Sequence, residues 1–119
     1  MGLGRVADAG AGAMVMIGTG GIYTEVLRDA QFRLAPLTRA DARDMIEVLK
    51  GYPILAGARG EAPVDMYALE DILLRLGRMA VEHPEILEMD LNPVLAFPEP
   101  TRTAVVDARI RISSEGALR

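Results

Sequence analysis

Two short runs near the end of this 119-residue chain carry polar side chains whose types and spacing suit a metal ion. Asp90 and Asn92 stand two residues apart in Glu88-Met89-Asp90-Leu91-Asn92-Pro93, and Asp107 follows Asn92 by fifteen residues. Both runs alternate apolar and polar residues, which predicts β-strands, and side chains two apart on a strand leave the same face. Two oxygen donors with a third acid on a partner strand suit Mg²⁺, which usually serves a phosphate-bearing ligand.

The same residues have a second interpretation as an ordinary strand end. Asn and Asp favour turns, and Pro ends a strand ladder. Asp107 favours the metal site, because it stands beside Val106 in a strand that we expect to be largely buried. A buried acid is costly unless it is paired or bound to a metal.

The metal site requires a specific hairpin register, because only directly opposed residues of an antiparallel pair share a face. We predict Asn92 opposite Asp107 and Asp90 opposite Arg109, with a loop over residues 98–101. Arg109 would then partly neutralise the acids without metal and reach a phosphate when one is bound. The other face of the hairpin is predicted to be core-packed under the helices, and it comprises Met89, Leu91, Val106, Ala108 and Ile110.

Composition excludes several classes of function. The net charge of −4 and the absence of a basic stripe argue against nucleic-acid binding. Without cysteine there is no disulfide or thiolate chemistry, and the single histidine, His83, leaves no multi-histidine site. The start of the chain does not resemble a signal peptide, and the apolar run over residues 11–17 is too short to cross a bilayer. We therefore expect a cytoplasmic protein without membrane partners.

The pattern along the chain predicts an α+β fold: an antiparallel sheet with two helices packed on one face. Short strands are predicted over 13–17, 22–27 and 31–35. A first helix begins at the Thr38 and Asp41 capping pair and closes at Gly51 with a left-handed cap, and a loop follows to residue 63. A second helix begins at Asp65 and ends near His83, before a hairpin over 86–96 and 103–112. Residues 1–12 are expected to be loose or a strand remnant, 13–112 to form the domain, and 113–119 to fray.

Three other features remain open at this stage. The glycine-rich stretch 18–21 indicates a tight turn rather than a phosphate loop, because no lysine or helix follows it. Glu25 faces either solvent or a site, and Arg59 is either solvated or part of a clamp for an anion.

Several motifs in sequence order resemble the ATP-grasp domain of ADP-forming acyl-CoA synthetases, and more distantly the β chain of succinyl-CoA synthetase. The resemblance covers about residues 14–112. It rests on Gly20–Leu27, Phe32–Leu37, Lys50–Pro53, Arg59-Gly60, Leu69-Glu70-Asp71, Glu88–Pro93 and Val106–Ile110.

The resemblance implies that Asp90, Asn92 and Asp107 hold Mg²⁺ against the phosphates of ATP or ADP, with Asn92 and Arg109 facing the nucleotide. The implied reaction is phosphoryl transfer that links acyl-CoA, ADP and phosphate to carboxylate, CoA and ATP through a phosphohistidine. The earlier half of such a domain, with its phosphate-binding lysines and adenine pocket, has no counterpart here. The chain therefore resembles a C-terminal half that is inactive alone, with the remaining half and a CoA-binding subunit or domain as partners. The alternative is a non-catalytic interaction module that retains the fold.

Overall fold

The computed structural model describes residues 1–8, 12–19 and 29–113. Seven strands and three α-helices are present in these ranges. The strands are Gly2–Asp8 (β1), Gly12–Gly18 (β2), Ala30–Leu34 (β3), Ile86–Leu91 (β4), Val94–Leu95 (β5), Ala104–Val105 (β6) and Ala108–Ile112 (β7). The helices are Arg39–Glu47 (α1), Tyr52–Leu55 (α2) and Met66–Glu82 (α3), and a 3₁₀ turn spans Ala58–Gly60.

The main sheet has five antiparallel strands in the order β3-β2-β1-β4-β7, and β5 and β6 form a separate two-stranded pair. Helix α3 packs on β1 and β2, and α1 packs on α3 and β3. The core lies between these two layers. Its fully buried side chains include Leu3, Val15, Ile17, Met45, Leu69 and Leu73. The predicted α+β arrangement with helices on one face of an antiparallel sheet is confirmed.

Both long helices begin where the sequence predicts. Thr38 caps α1 through a capping box, in which its hydroxyl accepts from the Asp41 amide and the Asp41 carboxylate accepts from the Thr38 amide. The two hydrogen bonds with Thr38 hold the pKa of Asp41 below its usual value. Asp65 caps α3 by accepting from the Ala68 amide, and His83 ends that helix. No helix in the described part of the chain is long and apolar enough to span a membrane.

Residues 1–12 are expected to be loose or a strand remnant, and the first of these alternatives is wrong for residues 2–8. Residues 2–8 form β1, which lies between β2 and β4 in the middle of the sheet. The glycines that favoured a loose segment are there for packing. A Cβ on Gly4 would lie 2.7 Å from the Met89 carbonyl oxygen, so β1 and β4 approach too closely for any side chain at that position.

The segment after α1 also differs from the prediction. Gly51 is not a left-handed cap: its φ is −79°, and it precedes α2, which occupies part of the predicted loop. The Asp29 carboxylate fixes this turn, because it accepts hydrogen bonds from the amides of Lys50 (2.6 Å) and Gly51 (2.9 Å). Asp29 is buried, and nothing in the local sequence pattern revealed that distant contact.

The final hairpin is buried on one strand only. Met89 is half-buried and Leu91 is buried, as predicted, but Val106, Ala108 and Ile110 are exposed, contrary to prediction. The reason is that β7 is an edge strand and α3 packs over β1 and β2 instead. The predicted strand at 22–27 and the tail at 114–119 lie outside the described residues.

Candidate functional site

The register between β4 and β7 brings the predicted site residues together. Asp90 is opposite Arg109, and Leu91 is opposite Ala108. One step further, the Asn92 amide donates to the Asp107 carbonyl oxygen at 3.0 Å. The predicted pairing is therefore confirmed. Because opposed residues share a face, the side chains of Asp90, Asn92, Asp107 and Arg109 leave the same side of this pair.

That side is the one opposite the helices, which we call the free face. Across the sheet, Leu91 aligns with Leu3 and Ile17, which are buried under the helices. Asp90 alternates with Leu91 and aligns with Gly4, so it points the other way. Asn92 is on the same side, since its Cγ lies 3.5 Å from where a Cβ on Gly2 would stand.

The site is accessible to solvent rather than enclosed. The Asp107 side chain is 58% exposed and that of Arg109 is 84% exposed, and their Oδ2 and Nε atoms are 4.0 Å apart. The expectation of a largely buried Asp107 is therefore wrong, and the cost of burial does not argue for a metal at this position. An exposed pair at this distance is weak, so Arg109 leaves both acids available to a ligand.

The donor set fits Mg²⁺ shared with a phosphate ligand. Two carboxylates and an amide oxygen are hard donors, but they are fewer than the six ligands that Mg²⁺ requires. In the parts of the chain that the structure describes, no group of three or more His, Cys, Asp or Glu side chains could hold a metal by itself. A metal at this face would therefore take its remaining ligands from water and from phosphate oxygens.

The rest of the free face is apolar. Met14 and Met16 on β2 are half-buried, while Phe32 and Leu34 on β3 are 47% and 50% exposed. Arg33 lies between Phe32 and Leu34 on β3, so it points to the helix side, where it pairs with Asp44 at 2.7 Å. The free face thus has a charged half on β4 and β7 and an apolar half on β2 and β3, with the glycines of β1 between them.

Outside this face, the sequence analysis missed a charged cluster that joins the two long helices. Glu70 on α3 is buried and accepts from Arg39 on α1 at 3.0 Å. Arg39 also bonds to Asp71 and stacks 3.9 Å above the Tyr67 ring. These hydrogen bonds to Asp71 and then Glu70 raise the pKa of Arg39. The cluster fixes α1 against α3, and the only sequence signal was an acidic pair in the predicted helix.

Among the remaining candidates, the structure describes the side chain of His83. His83 is exposed at the end of α3, with its Nδ1 3.0 Å from the Glu85 carboxylate, as a helix-end role predicts. Glu25 and residues 20–21 of the glycine-rich stretch lie outside the described residues, and so does the side chain of Arg59.

A family model for the ATP-grasp domain matches residues 1–112. The chain belongs to the ATP-grasp family. The match includes the first twelve residues, in agreement with the place of β1 in the sheet.

Known relatives of this ATP-grasp chain are ADP-forming synthetases. It is 49% identical over 108 residues to the β subunit of ADP-forming acetate–CoA ligase I of Pyrococcus furiosus, covering 91% of this chain and 46% of that one. It is 48% identical over 113 residues to ADP-forming acetate–CoA ligase I of Archaeoglobus fulgidus, covering 95% of this chain and 16% of that one.

A solved acetyl-coenzyme A synthetase 1 from Ca. Korarchaeum cryptofilum has the same fold. That structure, a complex with coenzyme A and Mg-AMPPCP, superposes with a TM-score of 0.88 at 48% identity, over 94% of this chain and 52% of that one. The chain thus spans about half the length of the subunit-sized relatives it matches, and a smaller share of the longer ones.

Proposed function

We propose that this chain is the Mg²⁺- and nucleotide-binding half of an ADP-forming acyl-CoA synthetase. The observation that carries the proposal is the β4–β7 register, which puts Asp90, Asn92, Asp107 and Arg109 on one open face. The relatives that share this half are ADP-forming acetate–CoA ligases, and one was solved with a magnesium nucleotide analogue. The rest of the synthetase would include the other half of the ATP-grasp domain and a CoA-binding subunit or domain.

In this proposal Asp90, Asn92 and Asp107 hold Mg²⁺ with ATP or ADP, and Arg109 faces the phosphates. When bound, the metal offsets the charge on phosphate oxygens. The protein's own part is positioning: the hairpin fixes the spacing of the three oxygen donors, and the guanidinium at the next position can donate to a phosphate.

Titration with Mn²⁺ in the presence of ADP tests the site on the chain alone. We expect weak Mn²⁺ binding that ADP strengthens, with paramagnetic broadening of amide signals centred on Asp90, Asn92 and Asp107. Asp107→Asn should weaken Mn²⁺·ADP binding on the order of tenfold, because it removes one of two charged ligands. Asp44→Asn is the matched control, since Asp44 is a similarly exposed acid that pairs with Arg33 on the helix side of the sheet. Broadening that avoids all three residues would contradict the proposal.

The activity of the chain separates this proposal from a non-catalytic module. Alone, these 119 residues should neither hydrolyse ATP nor form ATP from acetyl-CoA, ADP and phosphate, because they match only 46% of the length of the relative's β subunit. Mixed with the remaining part of a relative's β subunit and its partner subunit, a synthetase half should restore ATP formation. A module that kept only the fold should bind without restoring it.

A further inference from the structure

Strand β7 has a neighbouring strand on one side only in the part of the chain that the structure describes, and that neighbour is β4. The Asn92 amide donates to the Asp107 carbonyl oxygen, so Asp107 and every second residue after it turn their backbone groups towards β4. The residues between them, Ala108, Ile110 and Ile112, turn their N–H and C=O groups outward. We call this row of backbone groups the outer edge of β7. Such an edge is a template for pairing with another strand.

The side chains of β7 differ sharply between its two faces. Arg109 and Arg111 are on the free face, and both are largely exposed. Ile110 and Ile112 are on the helix side, where they are 53% and 52% exposed. A strand added to this edge would therefore meet two cations on one face of the sheet and two apolar side chains on the other.

Both arginines can pair with further carboxylates. The Arg109 Nε lies 4.0 Å from the Asp107 carboxylate, and the Arg111 guanidinium lies 3.3 Å from that of Glu88. Exposed pairs of this kind contribute little, and a guanidinium has five N–H donors. Because directly opposed residues share a face, acidic side chains opposite the arginines and apolar side chains opposite the isoleucines would complement β7.

A second copy of this chain fits the outer edge of β7 poorly. If β7 paired with its two-fold mate over all five of its residues, Arg109 of each copy would be opposite Arg111 of the other. Like charges that are directly opposed across a strand pair are destabilising. The charge of β7 thus disfavours its own copy and favours an acidic strand.

We propose that the outer edge of β7 is a docking site for an extended protein segment in which acidic residues alternate with apolar ones. The segment adds to the five-stranded sheet as an antiparallel sixth strand. Its backbone bonds to the outward groups of β7, and its acids pair with the two arginines. The docking requires neither metal nor nucleotide, so it goes beyond the proposed function. Arg109 is common to both proposals, and the test therefore relies on Arg111.

The test measures the binding of a fluorescently labelled peptide to the full chain by anisotropy. The peptide alternates glutamate with valine over about seven residues, which is enough to span β7. We expect saturable binding to the wild-type chain. Hydrogen exchange should become slower at the outward amides of Ala108, Ile110 and Ile112 when the peptide is bound.

Reversal of one charge tests the role of the arginines. Arg111→Glu should weaken binding about fivefold or more, because the attraction of one acid becomes a repulsion. Arg78→Glu is the matched control, since Arg78 is also an exposed arginine that pairs with a glutamate, Glu82, but it lies on α3. That control should change binding less than twofold. Circular dichroism establishes that both variants melt like the wild type.

Altered peptides separate strand addition from charge attraction and leave the protein unchanged, so they test the proposal even if Arg111→Glu does not fold. Glutamine in place of glutamate should weaken binding. N-methylation of the valine amides should abolish binding, because the residue opposite Ile110 in an antiparallel pair turns its N–H towards β7. N-methylation of the glutamate amides should change binding by no more than about twofold, since those amides point away from β7.

Four results would overturn the proposal: no binding to the wild-type chain, equal binding of the two N-methylated peptides, equal binding by Arg111→Glu and Arg78→Glu, or binding that requires removal of residues 114–119. The last would show that the end of the chain itself occupies the edge. Slower exchange at Ile110 that depends on the chain's own concentration, without peptide, would identify a second copy as the occupant and would also overturn it. Peptide binding by a chain that never binds Mn²⁺·ADP would support the docking site and contradict the proposed nucleotide site.

Discussion

Replacing Arg109 by Met should change metal binding and nucleotide binding in opposite directions. The Arg109 Nε lies 4.0 Å from the Asp107 Oδ2, and both side chains are largely exposed. Two unit charges at that separation interact by about 1 kcal/mol in water. Screening and side-chain entropy reduce this, so removing the arginine should raise the affinity for Mn²⁺ alone by at most about fivefold.

The same substitution should lower the affinity for Mn²⁺·ADP. A charge-assisted hydrogen bond from Arg109 to a phosphate contributes about 1.5–3 kcal/mol. Its loss outweighs the gain of at most about fivefold in metal affinity, so binding of Mn²⁺·ADP should fall by roughly threefold to a hundredfold. Water-proton relaxation measures both affinities on the same sample.

Arg111 provides the matched control for this prediction. It is on the same strand and the same face, and its guanidinium is 3.3 Å from Glu88 instead of near the proposed metal ligands. Arg111→Met should therefore change either affinity less than twofold. If Arg109→Met changes the affinities for Mn²⁺ and for Mn²⁺·ADP in the same direction, or leaves both unchanged, then Arg109 does not face the phosphates and is not part of the site.

Two further predictions concern the fold. Gly4→Ala should lower the urea midpoint of unfolding and speed hydrogen exchange of the β4 amides. The added Cβ would lie 2.7 Å from the Met89 carbonyl oxygen and must push β1 and β4 apart. Unchanged hydrogen exchange in β4 would contradict that packing. Thr38→Ala should lower the free energy of unfolding by about 1 kcal/mol near neutral pH. Asp41→Ala should show the pH dependence, since hydrogen bonds from the Thr38 backbone amide and then its hydroxyl depress the pKa of Asp41: its deficit in stability is complete above the ordinary aspartate pKa and is lost as pH falls through the folded value. A deficit that persists unchanged into acid would show that Asp41 plays no part in the cap.

The hairpin register could be predicted because it depends on local information. Alternation fixes which residues of β4 and β7 share a face, and the loop length fixes how they align. Burial could not be predicted in the same way. Whether Ile110 is covered depends on the order of strands in the sheet and on where α3 lies, and neither is encoded near Ile110 itself. Asp107, which directly precedes the edge strand β7, therefore seemed buried although it is exposed.

The central strand was missed for the opposite reason. Glycine is unfavourable in an isolated strand, so Gly2 and Gly4 indicated a loose segment. In the folded sheet, Gly4 is required by the close approach of the Met89 carbonyl oxygen, eighty-five positions away. The same holds for Asp29, whose carboxylate fixes the turn before α2 across twenty-one residues. Long-range contacts of this kind leave no periodic signal in the sequence.

If the proposed site is correct, its exposure gives a physical reason why these 119 residues should be inactive alone. Asp107 is 58% exposed, so water competes for every ligand position and screens each charge. Catalytic electrostatics requires donors held in a site from which water is excluded. The free face needs a cover, and its apolar half at Phe32 and Leu34 offers the surface that a cover would bury. In the proposed synthetase, the part that lies outside the matched stretch would therefore supply a dry boundary for the metal and the phosphates as much as any additional ligand.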